Sequence, residues 1–137
     1  MQRSILLPVA TRYLMPLLMI FSVFLLLRGH NEVGGGFVGG LVASSALMLF
    51  AIANSPQALR RLLPVSPVRL VSGGLVIALC SGLIPLFTGK EFMTGMWYPI
   101  EIPVIGKVGT PLLFDVGVYF LVIGIVIWIM LTFAREP

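Results

Sequence analysis

The sequence predicts an all-α integral membrane protein with four transmembrane helices in a single domain, residues 1–137. Its mean hydropathy is +1.08, and 58% of its residues are hydrophobic against 10% charged, whereas soluble domains have about 45–50% apolar and about 25% charged residues. A membrane-spanning helix needs about 20 apolar residues, and four stretches meet or approach that length, at about 11–28, 37–53, 70–87 and 112–133. Strands of a membrane barrel alternate apolar and polar residues, and these stretches do not.

The first predicted helix contains prolines near its start. Pro8 places the residues around it at the membrane interface or in kinked first turns of the helix. Pro16 predicts a bend further along, because proline removes a backbone N–H and crowds the preceding turn. Arg12 and Tyr13 are typical of side chains that anchor a helix at the interface. No small-residue cleavage site follows the charged start, so we expect no cleaved signal peptide.

The second predicted helix begins in an unusual segment, residues 28–40, with the sequence RGHNEVGGGFVGG. Small residues then recur every fourth position in two adjacent rows, and the third helix repeats that spacing; such rows are typical of helices that approach another backbone closely. We therefore expect the second and third helices to pack against each other or against other subunits. The candidate packing positions are Gly35, Gly36, Gly39, Gly40, Gly74 and Gly82.

Two loops are predicted to carry short elements of their own. In the loop at 54–69, Ala58–Leu63 fits a short amphipathic helix on the membrane surface, with Arg60 and Arg61 near lipid phosphates. In the loop at 88–110, the run WYPIEIPVIGKV at 97–108 alternates around a glycine turn, which favours a small β-hairpin outside the membrane. Its prolines confine the strands to sheet edges.

The charges predict an orientation. Six of the nine cationic residues lie in the N-terminal region, the second loop and the C-terminus, and three lie in the first and third loops. Because cytoplasmic segments carry an excess of Lys and Arg, both termini are expected in the cytoplasm. The first and third loops are then outside, in a bacterium on the periplasmic or extracellular face of the inner (plasma) membrane.

Asp115 is the acidic residue that lies within an apolar stretch, about four residues past Pro111 and so roughly 6 Å into the fourth helix. A carboxylate at that depth is costly unless it is hydrated, paired or protonated. It is the strongest candidate for contact with a cation or a proton. The alternative is structural, because an acid in the first turns of a helix complements the helix dipole and accepts hydrogen bonds from backbone amides.

His30 and Glu32 are the other candidates for an ion or proton path. A histidine titrates near neutral pH and can carry protons, although at a helix end it also serves as a plain hydrogen-bond donor. Glu32 is expected to be exposed, with Arg28 or a residue of another chain as its partner. The charged residues are too few to build a continuous relay, because the second and third apolar stretches contain none. We therefore expect the chain to be part of a larger assembly.

The residue inventory argues against several other classes. One His, one Cys and scattered carboxylates do not make a transition-metal site, and the glycine run lacks the Lys-Ser/Thr pair of a phosphate loop. We expect no cofactor, no metal and no enzymatic activity. Cys80 is the one cysteine, which excludes an intramolecular disulfide, and no basic patch interleaved with aromatics suggests nucleic-acid binding.

Three segments resemble a known family. The run Gly29–Phe37 with Gly39 and Gly40 resembles the G-H-x-x-P-G-G-G-F-x-G-G signature of the B subunit of multisubunit Mrp-type (Mnh) Na⁺/H⁺ antiporters. Thr11–Tyr13 with Pro16, and Thr110–Tyr119, are similar to further parts of that pattern, the latter to its L-F-D-x-G-V-Y segment. The resemblance covers almost the whole chain. Val33 stands where the pattern has proline, which loosens the turn before the glycines.

The resemblance implies an accessory membrane subunit of a hetero-oligomeric complex that exchanges Na⁺ for H⁺. Its partners would include large antiporter-like subunits similar to those of respiratory complex I, together with membrane lipid. This subunit would assist assembly and shape the outer mouth of the ion path. Two alternatives remain open, an equivalent subunit of an ion-pumping membrane-bound hydrogenase or complex I-related oxidoreductase, and a free-standing carrier that forms a homo-oligomer.

Overall fold

A computed structural model describes residues 5–29, 35–87, 89, 97–102 and 106–135. Within these ranges the chain forms five helices and one pair of strands. The helices are α1 (Leu6–Gly29), α2 (Gly35–Ala53), α3 (Pro56–Leu62), α4 (Pro67–Phe87) and α5 (Thr110–Arg135), and the strands are β1 (Trp97–Ile102) and β2 (Gly106–Gly109).

Helices α1, α2, α4 and α5 are long and apolar enough to cross a membrane. The prediction of an all-α membrane protein with four transmembrane helices is confirmed. The observed helices begin earlier than the apolar stretches suggest, α1 at Leu6 and α4 at Pro67. Proline explains this, because its fixed φ and missing N–H are tolerated in a first helical turn, where Pro8 and Pro67 lie.

The four long helices pack in the spatial order α1, α2, α5, α4. The last helix of the chain therefore lies between the second and third transmembrane helices. Half of the apolar membrane-spanning stretch of α2 is buried inside the chain, whereas 17% of the corresponding stretch of α1 is buried. Helices α2 and α5 therefore form the interior of the bundle, and α1 and α4 form its flanks. Of the two expected arrangements, packing of the second and third transmembrane helices against each other is not what the structure has, since Gly36 and Gly40 of α2 and Gly74 of α4 face α5.

The apolar core follows this arrangement. Leu26 of α1, Leu47 of α2 and Ile123 and Ile127 of α5 belong to one buried cluster. The flanking helices expose apolar side chains on their outer faces, which is stable in lipid or against other subunits and would be costly in water. These faces include Leu17, Ile20, Leu75, Val76 and Leu79.

The short helix α3 begins two residues before the predicted amphipathic segment. Ser55 caps it, since the Ser55 hydroxyl accepts a hydrogen bond from the Ala58 N–H at 3.0 Å, and Pro56 occupies the first helical position. Leu59 is fully buried and joins the core cluster, whereas Arg60 and Arg61 are exposed. One buried leucine thus holds α3 against the bundle and leaves its arginines at the surface.

Strands β1 and β2 form an antiparallel pair between α4 and α5, where the sequence favours a hairpin. Glu101 pairs with Lys107 and Trp97 with Gly109, with an irregularity between Trp97 and Glu101. Pro99 lies in that interval and lacks the N–H that a regular ladder requires. In a sheet of two strands both are edges, so the proline is accommodated.

Candidate functional site

Gly36, in the first turn of α2, lies directly against Asp115 of α5. A Cβ atom placed on Gly36 would collide with the backbone carbonyl oxygen of Asp115 and would lie 2.9 Å from its carbonyl carbon and its Cα. No side chain other than hydrogen fits there. The structure therefore brings together two sets of predicted residues that are about 80 positions apart, the glycine signature and the acid.

The two small-residue rows of α2 face different helices. In the row that contains Gly36 and Gly40, a Cβ on Gly40 would lie 2.9 Å from Val122 Cβ and 3.1 Å from the Tyr119 carbonyl oxygen, both on α5. In the other row, a Cβ on Gly39 would lie 2.9 Å from the Ser22 carbonyl oxygen of α1. The hypothesis that Gly36 and Gly40 dock α2 onto a neighbouring subunit is therefore corrected, because α5 of the same chain covers both positions.

Gly74 of α4 makes a reciprocal contact with Gly117 of α5. A Cβ on Gly74 would lie 2.5 Å from the Gly117 carbonyl oxygen and 2.6 Å from the Leu121 nitrogen, and a Cβ on Gly117 would lie 2.6 Å from the Gly74 carbonyl oxygen. Each backbone thus lies where the other would carry a side chain. Small residues on α4 and α5 permit this approach, as in other membrane helix pairs. Gly35 and Gly82 are buried as well.

Asp115 lies in the second turn of α5, within the span Leu112–Ala134, and is half-buried. It is the one acidic residue in the sequences of the four spans. Its place beside Gly36 puts it at the end of the bundle where α2 and α5 begin, near the membrane boundary. The free-energy cost of holding a charged carboxylate is smaller near the membrane boundary than at the bilayer centre.

One helical turn beyond Asp115, Tyr119 joins α5 to α1 through a buried hydrogen bond. The Ser22 hydroxyl donates to the Met19 carbonyl at 2.6 Å, so its remaining capacity is as an acceptor, and the Tyr119 hydroxyl 2.8 Å away is the donor to it. Ser22 is fully buried and Tyr119 is 5% exposed. This hydrogen-bonded chain ends on a backbone carbonyl, which cannot pass a proton on. It therefore ties helices together and does not conduct protons.

Because the Tyr119 hydroxyl donates and the Ser22 hydroxyl accepts, mutation of the two residues is expected to reduce the free energy of unfolding by different amounts. In Ser22→Ala the Tyr119 hydroxyl stays buried and loses its acceptor, which costs about 1–3 kcal/mol. In Tyr119→Phe the Ser22 hydroxyl still donates to Met19, so we expect a loss of about 0.6 kcal/mol, typical of hydrogen bonds between membrane helices. Thermal unfolding of the purified variants measures both. The double variant should be more stable than Ser22→Ala alone, and a larger loss in Tyr119→Phe than in Ser22→Ala would contradict the donor assignment.

His30 and Glu32 lie outside the residues that the structure describes. In the described ranges no three His, Cys, Asp or Glu side chains come together in an arrangement that could hold a metal ion. Ser22, Gly117 and Tyr119 were missing from the predicted set. Gly117 and Tyr119 lie in the same segment as Asp115, and the four-residue spacing of Asp115 and Tyr119 was the signal that could have indicated a shared face.

Comparison with known proteins decides the family. A family model described as a domain related to the MnhB subunit of a Na⁺/H⁺ antiporter matches residues 6–128, which is most of the chain. The chain belongs to the MnhB family. The resemblance inferred from the glycine signature and the L-F-D-x-G-V-Y segment is thereby confirmed, and the MnhB-family chain is a multi-pass membrane protein.

Its relatives match over nearly their full length. The MnhB-family chain is 37% identical over 135 residues to the B subunit of a Na⁺/H⁺ antiporter from Bacillus subtilis, and the match covers 97% of this chain and 94% of that protein. It is 36% identical, with the same coverage, to the protein of that name from Alkalihalophilus pseudofirmus. It is also 32% identical to a putative antiporter subunit mnhB2 of Staphylococcus haemolyticus, over 95% of this chain and 94% of that protein.

A solved structure has the same fold. The structure of the Mrp complex from Dietzia sp. DQ12-45-1b contains a chain that superposes with a TM-score of 0.80 at 28% sequence identity. The match covers 97% of the MnhB-family chain and 15% of the Dietzia chain. The present chain thus corresponds to a small part of a much longer polypeptide there.

Proposed function

We propose that this MnhB-family chain is the B subunit of a hetero-oligomeric Na⁺/H⁺ antiporter. The observation that carries the proposal is its similarity, over nearly their full length, to two proteins that are named as B subunits of such antiporters. Its partners are the other subunits of that complex, including large antiporter-like subunits, and Na⁺ and H⁺ are the transported ions. The chain has no enzymatic role in this proposal.

The packing supports a role within a larger complex and argues against a complete transporter. The spans contain a single acidic residue, Asp115, and the buried polar chain from Tyr119 ends on a carbonyl. A proton or cation route through a membrane normally needs several ionisable or polar groups along one path. Other chains must therefore supply the rest of the route, and the exposed apolar flanks of α1 and α4 are the surfaces available for contact with them or with lipid.

Within the complex, Asp115 contributes to the mouth of the ion path. Its support is its place in the second turn of α5, beside Gly36 in the first turn of α2, and its partial exposure. Gly36 allows the two backbones to meet and so sets the position of the acid. His30 and Glu32, which precede α2 in sequence, are proposed to assist at the same mouth.

The proposed location is a bacterial plasma membrane with both termini in the cytoplasm. Arg60, Arg61 and Arg69 support this orientation, because they belong to the connection between α2 and α4, whose cationic excess favours the cytoplasmic side. Asp115 and the first turn of α2 would then lie at the outer surface. A role in an ion-pumping hydrogenase or related oxidoreductase is not favoured, since the relatives are antiporter subunits.

Purification with an affinity tag in a mild detergent tests the proposal. We expect large antiporter-like subunits to co-purify, and we expect everted membrane vesicles from cells lacking this chain to lose Na⁺-dependent proton exchange, with recovery when the wild-type chain is supplied. Recovery of hydrogenase or other redox subunits, or of a homo-oligomer alone, would contradict it. The control is a strain that carries the tag on an unrelated membrane protein of similar abundance.

A further inference from the structure

A cavity of about 550 Å³ lies where α3 and the start of α4 meet the last turns of α5. Arg60 comes from α3, Arg69 from the first turn of α4, and Trp128, Leu131 and Thr132 from α5. Leu131 is 3% exposed and forms part of the floor, whereas Arg60, Arg69 and Trp128 are exposed at the rim. The cavity is thus charged at its mouth and apolar at its base.

Arg60 and Arg69 give this cavity a positive charge. Asp115, the one acidic residue in the sequences of the four spans, lies in the second turn of α5, more than three turns before Trp128, and is therefore far from this cavity. Two guanidinium groups on one cavity match a phosphate group, because each presents N–H donors in a planar fork that fits phosphate oxygens.

An apolar groove continues from the cavity along α5. Trp128 and Thr132 line both, and Ile129 and Phe133 complete a depression of about 300 Å³. The exposed fractions of Ile129 and Phe133 are 52% and 71%. A charged cavity that opens onto an apolar groove near the end of a membrane span has the polarity of a phospholipid, with the headgroup at one end and a hydrocarbon chain at the other.

We propose that this site binds an anionic phospholipid, with its phosphate between Arg60 and Arg69 and an acyl chain along Trp128 and Ile129. Basic pockets between membrane helices bind anionic headgroups in this way, and tryptophan is favoured at the membrane interface. A free phosphate ion would fill the charged cavity and leave the groove empty. The lipid site does not depend on whether the chain acts in an antiporter.

Quenching of Trp128 fluorescence by brominated lipid tests the site on the full chain. Trp97→Phe leaves Trp128 as the single tryptophan, since the chain has two. The chain is reconstituted in phosphatidylcholine with increasing mole fractions of brominated phosphatidylglycerol, or of brominated phosphatidylcholine for comparison. We expect a higher relative association constant for phosphatidylglycerol, and a loss of about fivefold in that preference for each of Arg60→Gln and Arg69→Gln.

Arg61→Gln is the matched control, because Arg61 follows Arg60 on the same short helix and does not line the cavity. It should keep the preference. Unchanged quenching by brominated phosphatidylcholine in every variant shows that the chain is still folded and inserted. Equal quenching by the two lipids overturns the proposal, as does an equal loss in Arg61→Gln, which would indicate diffuse surface attraction. Displacement by added inorganic phosphate at concentrations comparable to the lipid would assign the cavity to free phosphate and also overturn it.

Discussion

Replacing Gly74 with valine is expected to prevent α4 from packing on α5. The new Cβ would lie 2.5 Å from the Gly117 carbonyl oxygen and 2.6 Å from the Leu121 nitrogen, and both obstacles are backbone atoms that no rotamer change can move. Overpacking costs about 1–3 kcal/mol and occasionally more, and a backbone collision places this change at or above the upper end. Thermal unfolding of the purified protein, together with its abundance in the membrane, measures the loss.

Gly73→Val is the matched control for this prediction. A Cβ on Gly73 would meet no atom within 4 Å, so the same substitution one residue earlier should change stability by less than about 0.5 kcal/mol. Gly117→Val should be as damaging as Gly74→Val, because the contact is reciprocal. If the Gly73 and Gly74 variants were equally stable, the close approach of α4 and α5 would be refuted.

Asp115→Asn is expected to reduce Na⁺/H⁺ exchange by the assembled complex about 10–100-fold. Loss of one interaction with a charged group costs about 1.5–3 kcal/mol, which corresponds to this range. Asparagine keeps the size of the side chain and removes its charge, so the backbone contact between Asp115 and Gly36 should survive. Exchange is measured in everted vesicles as a function of Na⁺ concentration, with the amount of assembled complex measured in the same membranes.

Glu101→Gln is the matched control, because it removes an acidic charge outside the spans, in β1. We expect it to leave exchange within about twofold of the wild type, because Glu101 lies on the strand pair between α4 and α5 and is not among the residues proposed for the ion path. Normal exchange and normal Na⁺ dependence in Asp115→Asn would remove Asp115 from the ion path. A loss of assembled complex in that variant would instead assign the acid a structural role beside Gly36.

Much of the fold was predictable because its causes are local. Four apolar stretches of membrane-spanning length indicate four helices whatever their neighbours are, and Ser55 with Pro56 marks the start of α3 within a few residues. The glycine spacing also indicated where another backbone approaches. It could not indicate which backbone, because a row of small residues accepts any helix of suitable shape.

The candidate site was predictable in part. Asp115 stands out because it is an acid in an apolar stretch, and the glycines stand out by their number. Ser22 did not, since a lone serine in a membrane helix usually bonds to its own backbone, and its link to Tyr119 joins residues 97 positions apart. Arg60, Arg69 and Trp128 likewise come together only in the tertiary structure, where α3, the start of α4 and the last turns of α5 line one cavity.

The sequence by itself determined the membrane class, the number of spans, the family and the positions that must remain small, because hydropathy, spacing and motif are properties of short segments. Only the tertiary structure decided that α5 inserts between α2 and α4, so that Gly36 and Gly74 both face the last helix of the chain. The reason is physical. Apolar helices in lipid gain little from one apolar neighbour over another, and the choice depends on how closely particular backbones and side chains fit once all four are present.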